Sequence, residues 1–235
     1  MSLSGILASV PKHQTILPLS GKKVEYRPFI VKEEKILLMA AETKNEKSIY
    51  SAIREVVLSC TGGKVDVTKI PLLDMEYLFL QLRSQSVGET TKPTIKCEKC
   101  GGGNECEINI KELTPQSNPN HRKVIPLVAD ISIVMRYPTL EDIDALGEGS
   151  DVDRTFALLT KCIDKINQGE TVYNCSEMQE TDVREFIDQM TQDQFRKLFD
   201  FLDTMPKIEK SLAFDCTICK HHNEHMLKGI ASFFS

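Results

Sequence analysis

Apolar residues recur at two different periods along the chain, and each change of period marks an element. Around the turn dipeptide Ser20-Gly21, the stretches Thr15–Leu19 and Lys22–Tyr26 alternate as the arms of a β-hairpin. From Val31 to Thr43 the spacing becomes helical, with Ile36, Leu37, Ala40 and Ala41 in register. Asn45 suits the N-cap of a second helix reaching Cys60, with Ile49, Ile53, Val56, Val57 and Cys60 on one face and Gly62-Gly63 as its stop. Asp74 reads as the N-cap of a third helix ending near Gln85. The period then returns to that of strands. Thr94–Cys97 and Glu105–Ile110 flank CEKCGGGNE, and the polar run ELTPQSNPNHRK follows as a linker or long surface loop.

A second series begins at Ile131–Tyr137, a strand by its alternation. Thr139 precedes a short helix, Leu140–Leu146, and Asp151 or Asp153 can cap another that runs through Ile166. Thr181–Met190 is helical, Thr191 caps Gln192–Thr204, and Pro206 follows its end. Two strands, Ser211–Asp215 and His225–Ile230, then flank CTICKHHNE.

The two series are spaced alike. Asp74 to Cys97 is 23 positions, and Asp193 to Cys216 is also 23. Tyr26-Arg27-Pro28-Phe29 and Arg136-Tyr137-Pro138-Thr139 each stand before a helix. This pattern predicts an internal duplication. The expected fold class is α+β: a mostly helical body with two CxxC β-hairpins, or zinc knuckles. The expected halves are 1–115 and 116–235, joined into one unit by a zinc-ribbon-like site.

Eight cysteines in a chain of 235 residues become informative through their spacing. Cys97/Cys100 and Cys216/Cys219 are CxxC pairs at hairpin tips, and two such pairs complete the tetrahedral thiolate shell of a structural zinc ion. Lys96, Lys99 and Lys220 can offset its charge, and Gly101–Gly103 frees the backbone to donate to sulfur. Alternative ligands are Cys106 and, beside the second pair, His222 or His225, whereas His221 and its neighbours also read as exposed loop histidines. Cys60, Cys162 and Cys175 read as thiols without a metal role. Redox CxxC motifs open a helix, and strands follow both pairs here. Four cysteines also leave no open coordination position for catalysis.

A formal net charge of −5 gives no general attraction to nucleic acid or anionic membranes, so a protein partner fits better. No apolar run approaches the ~20 residues of a membrane span. The first residues lack the basic start and apolar core of a signal peptide, which points to a cytoplasm. Phosphate-loop, dinucleotide, HExxH and GxSxG motifs are missing, so the expectation is not an enzyme.

Four stretches carry a resemblance: VEYRPFIVKEEKILLMAAE, PLLDMEYLFLQLRSQSVGE, LTKCIDKINQGETVY and DQFRKLFDFLDTMPKIEKSLAFDC with the later ASFF. Together they resemble the baseplate hub assembly proteins of T-even-type contractile-tailed bacteriophages, most closely those of marine T-even-like phages. The resemblance spans nearly the whole chain. It implies a late viral protein made in the host bacterial cytoplasm, whose partners are other baseplate or hub proteins. Family members act as hub components or as chaperones that leave the finished virion. Zinc is read from this chain and not from the resemblance. Phe233 and Phe234, and the N-terminal MSLSGILASVPKHQ, are candidate contact arms; each can equally be a tail without that role. The competing functions are a zinc-ribbon nucleic-acid module and a CxxC thiol oxidoreductase.

Overall fold

The opening hairpin forms where the alternation places it. A computed structural model, which describes residues 10–147 and 149–233, pairs β1 (His13–Ile16) antiparallel with β2 (Lys23–Tyr26). Val24 and Tyr26 face inward, and Gly21 turns the chain at φ +66°, where a side chain would be strained. Three helices follow: α1 (Val31–Glu42), α2 (Glu46–Cys60) and α3 (Leu72–Ser86). Asn45 caps α2 by accepting from the Ser48 N–H at 3.2 Å. α2 packs on α3, and the two bury Ile53, Val56, Val57, Met75, Leu78 and Leu80. Each such side chain contributes about 1.5–3 kcal/mol on leaving water. α1 differs: its Val31, Leu38 and Met39 stay 79%, 60% and 59% exposed.

Asp74 does not cap α3. The helix starts earlier, after Pro71, and Asp74 sits fully buried in its first turn. Its carboxylate accepts from the Leu19 and Ser20 N–H groups at 2.8 and 2.9 Å, so it anchors the β1–β2 turn.

Beyond α3 the chain makes two small ladders. β3 (Thr90–Thr91) pairs with β6 (Ile108–Asn109), and β4 (Thr94–Lys96) with β5 (Gly103–Glu105). The compact units do not follow a single cut. One runs up to Gln116 and resumes at Lys207; the other is Ser117–Pro206. Gln116 and Lys207 pair through backbone hydrogen bonds of 2.9 and 3.2 Å where the chain leaves the first unit and returns. The second cysteine hairpin therefore groups with the first unit, unlike the expected halves 1–115 and 116–235.

Within the unit formed by Ser117–Pro206, β7 (Val124–Val128) and β8 (Ile131–Met135) lead into α4 (Leu140–Asp144) and α5 (Asp151–Cys162). Ser150, not Asp151 or Asp153, caps α5, with Asp153 completing a capping box. α5 also stops short of Ile166. Ile163–Gln168 is β9, paired with β8 and with β10 (Thr171–Asn174) in a four-stranded sheet of order β10-β9-β8-β7. Ile163 and Ile166 are β-branched and fit a helix face by spacing alone, but pairing with β8 decides for strand. α6 (Glu180–Asp188) and α7 (Gln192–Thr204) complete this unit, with α7 capped by Thr191 as the sequence predicts. Ile133, Met135, Leu159, Ile163, Leu198 and Phe201 form its core.

The chain then forms β11 (Glu209–Asp215) and β12 (His222–Lys228), paired antiparallel. Among the described residues the result is an α+β chain of seven α-helices and several small antiparallel sheets. Residues 1–9 and 234–235 and the Phe233 side chain lie outside the described residues, so both candidate contact arms do so wholly or in part.

Each unit carries a local anchor of the same kind. Arg27 donates to Glu33 at 2.7 Å, and its backbone N–H donates to the Cys60 carbonyl at 3.0 Å. Arg136 donates twice to Asp142 at 2.6 and 2.8 Å, and its N–H donates to the Cys162 carbonyl at 2.8 Å. In each case the acid stands six positions after the arginine and the cysteine ends the second following helix. Burial pushes the Glu33 carboxyl up, but Arg27, the Ile30 N–H and Ser59 outweigh it and hold the group at about 2.

Candidate metal centre

The two CxxC segments adopt one turn, built the same way twice. In the first, Cys97 N–H donates to the Gly102 carbonyl and Gly101 N–H to the Cys97 carbonyl, both at 2.9 Å. In the second, Cys216 N–H donates to the His221 carbonyl at 2.9 Å and Lys220 N–H to the Cys216 carbonyl at 3.0 Å. The fourth residue after the leading cysteine is left-handed in both, Gly101 at φ +72° and Lys220 at +58°. The strands also share a register: Lys96 faces Gly103, and Asp215 faces His222, across a six-residue gap each time.

These turns bring the four sulfurs together. The ligand atoms of Cys97, Cys100, Cys216 and Cys219 all lie within 4.8 Å of one another. Two approaches are crossed, Cys97 to Cys219 at 3.7 Å and Cys100 to Cys216 at 3.6 Å. The crossing makes one four-sulfur cluster out of two pairs 116 and 122 positions apart.

Backbone N–H groups surround the sulfurs. The N–H groups of Cys219 and Ile218 hold the Cys216 thiol down at about 6, against its burial. Burial pushes Cys97 up, but the Cys100 and Lys99 N–H groups and the Asn223 amide bring it below the usual thiol value. The Gly102 N–H favours the Cys100 thiolate, yet the three neighbouring sulfurs drive that thiol up to about 12. Four thiols this close cannot all ionise unless a cation stands among them. The set is all sulfur, its N–H donors aim at sulfur, and two CxxC turns face each other; these features fit a tetrahedral thiolate-bound metal.

A family model described as T4 bacteriophage base plate protein matches residues 10–235. The chain belongs to that family. Its role is therefore that of a phage baseplate protein. Neither the curated proteins nor the solved structures contain a match. Among the described residues of this baseplate protein, no helix is long and apolar enough to cross a membrane.

The structure brings Cys97, Cys100, Cys216 and Cys219 into one place and leaves the alternative ligands out. Cys106 is buried beside the Asn104 carbonyl, and burial raises its thiol. His222 pairs with Asp215 at 2.8 Å on the strand, and His225 stands opposite Leu212. Neither CxxC pair opens a helix. Lys96, Lys99 and Lys220 are exposed around the site.

Two residues escaped the sequence reading. Asn104 and Asn223 are 4% and 2% exposed, and each reaches across to the other hairpin. Asn104 Oδ1 accepts from the Thr217 N–H at 2.8 Å, and Asn223 Oδ1 accepts from the Glu98 N–H at 3.0 Å. The signal was present: each asparagine stands seven positions after the leading cysteine of its own pair.

Proposed function

We propose that this baseplate protein is non-enzymatic and acts in assembling the central hub of the tail baseplate, as a hub component or assembly chaperone. It works through contacts with other baseplate proteins, in the host cytoplasm during assembly. The family match over residues 10–235 carries this reading. The exposed apolar face of α1, with Val31, Leu38 and Met39, supplies contact surface of the kind that protein partners cover. Co-purification from infected cells, at intermediate and mature tail stages, tests it. Wild-type chain should bring down hub proteins, and Leu38→Glu/Met39→Glu should bring down less while folding normally. Recovery free of any baseplate protein at every stage would refute the reading.

The same proposal assigns a structural zinc ion to Cys97, Cys100, Cys216 and Cys219. Four thiolates would fill its shell, so the ion would supply cross-linking, with no position for substrate. It would tie the strands of β4–β5 to those of β11–β12 and so close a loop of chain that includes residues 117–206. Loop-closure entropy rises slowly with length, which makes so long a loop affordable. We also read the chain as an internal duplication. Support comes from the equal Asp74–Cys97 and Asp193–Cys216 spacing, the matching turns and the Arg27–Glu33–Cys60 and Arg136–Asp142–Cys162 anchors.

A further inference from the structure

We infer that Asn104 and Asn223 are positioning residues of the cysteine centre, each shaping the CxxC turn of the opposite hairpin, so that neither turn is set for metal without the other. The inference rests on the zinc reading for its ligand.

The N–H groups between each leading cysteine and its left-handed residue have separate partners. In the second turn, the N–H groups of Ile218 and Cys219 serve the Cys216 sulfur, and that of Lys220 serves the Cys216 carbonyl. The Thr217 N–H is left over, and Asn104 takes it, along with the Thr217 hydroxyl at 3.0 Å. In the first turn, the N–H groups of Lys99 and Cys100 serve the Cys97 sulfur, and that of Gly101 serves the Cys97 carbonyl. Here the Glu98 N–H is left over, and Asn223 takes it. Both bonds are part-buried, and both acceptors are supplied across the centre.

The same amides hold their own turns from the other end. Asn104 Nδ2 donates to the Gly102 carbonyl at 2.9 Å, and Asn223 Nδ2 donates to the His221 carbonyl at 2.8 Å. Asn104 Nδ2 also lies 3.7 Å from the Cys216 sulfur. Only a side chain with donor and acceptor on one short planar group makes both sets of bonds. Aspartate would keep the acceptor but lose the donors, and would set a carboxylate against thiolates.

The test uses the full chain loaded with zinc, with two readouts. The first is the rate of zinc transfer to a colorimetric chelator. Asn104→Asp and Asn223→Asp should still bind the ion but release it at least about tenfold faster, as loss of groups that orient ligands does. The second is amide exchange in the metal-free chain. Asn104→Ala should speed exchange at Thr217, and Asn223→Ala at Glu98, each in the hairpin that does not carry the substitution. Unchanged release, or exchange that rises only in the substituted hairpin, would overturn the inference. If wild-type chain takes up no zinc, the metal reading fails by itself, and the exchange result still decides the clamp.

Discussion

The buried carboxylate of Asp74 accepts a hydrogen bond from the backbone N–H of Leu19 at 2.8 Å, across 55 positions of sequence. A second bond, from Ser20 N–H at 2.9 Å, makes Asp74 the seat of the β1–β2 turn. Hydrogen bonds to a charged acceptor contribute about 1.5–3 kcal/mol each, and the exposed Ser20 can regain water. Asp74→Ala should therefore lower stability by about 2–3 kcal/mol in urea unfolding, with Asp74→Asn intermediate. A loss below about 0.5 kcal/mol, the size of an ordinary surface change, would contradict this role.

Acid should weaken the unit of Ser117–Pro206 through His121. Its ring stacks near Tyr137 and Phe201, at centroid distances of 5.6 and 4.9 Å, and its nitrogens reach Thr204 Oγ1 and Tyr137 OH at 3.0 and 3.1 Å. Burial first, then Lys123 and Arg122, lowers its pKa. The unfolded chain thus binds the proton more readily than the folded one. This contribution is complete above the unfolded value of about 6.5 and is lost as pH falls from there toward the folded value. Amide exchange in β8 and α7 should accelerate on going from about pH 7 to pH 5, after correction for intrinsic rates. His121→Phe should flatten that dependence; an equal slope in the variant would assign it to other groups.

The matched turns place different residue types at their left-handed position, and that difference is testable. Lys220 adopts the left-handed conformation that Gly101 adopts in the first turn. For a residue with a Cβ this conformation costs about 1–2 kcal/mol. Glycine offsets part of that gain by a more flexible unfolded chain. Lys220→Gly should raise stability by up to about 1 kcal/mol, and Gly101→Ala should lower it by about 1 kcal/mol, in thermal or urea unfolding. The reverse order of the two variants would show that the turns are not equivalent.

Much of this was legible because it is local. Asn45, Thr139 and Thr191 mark helix starts, Gly62-Gly63 a helix stop, and the CxxC pairs the hairpin tips. The errors fall where tertiary pairing decides. Ile163 and Ile166 satisfy helical spacing from α5, and only the neighbouring β8 makes them a strand. β7 and β10 depend on the same sheet. Asp74 has a capping residue's chemistry, yet it spends its carboxylate on a turn 55 positions away. The cysteines announced themselves by spacing within each pair. The asparagines needed a comparison between pairs, since Asn104 and Asn223 are ordinary hairpin residues until the shared offset from Cys97 and Cys216 is noticed.

The most direct test of the shared centre is the metal content of purified chain, measured by elemental analysis beside that of Cys97→Ser and Cys216→Ser. Wild-type chain should carry about one zinc ion per molecule. Each variant should lose it, since the sulfurs approach one another across the two pairs. No bound zinc in the wild type, or loss from one variant while the other keeps its ion, would contradict a single metal held by Cys97, Cys100, Cys216 and Cys219.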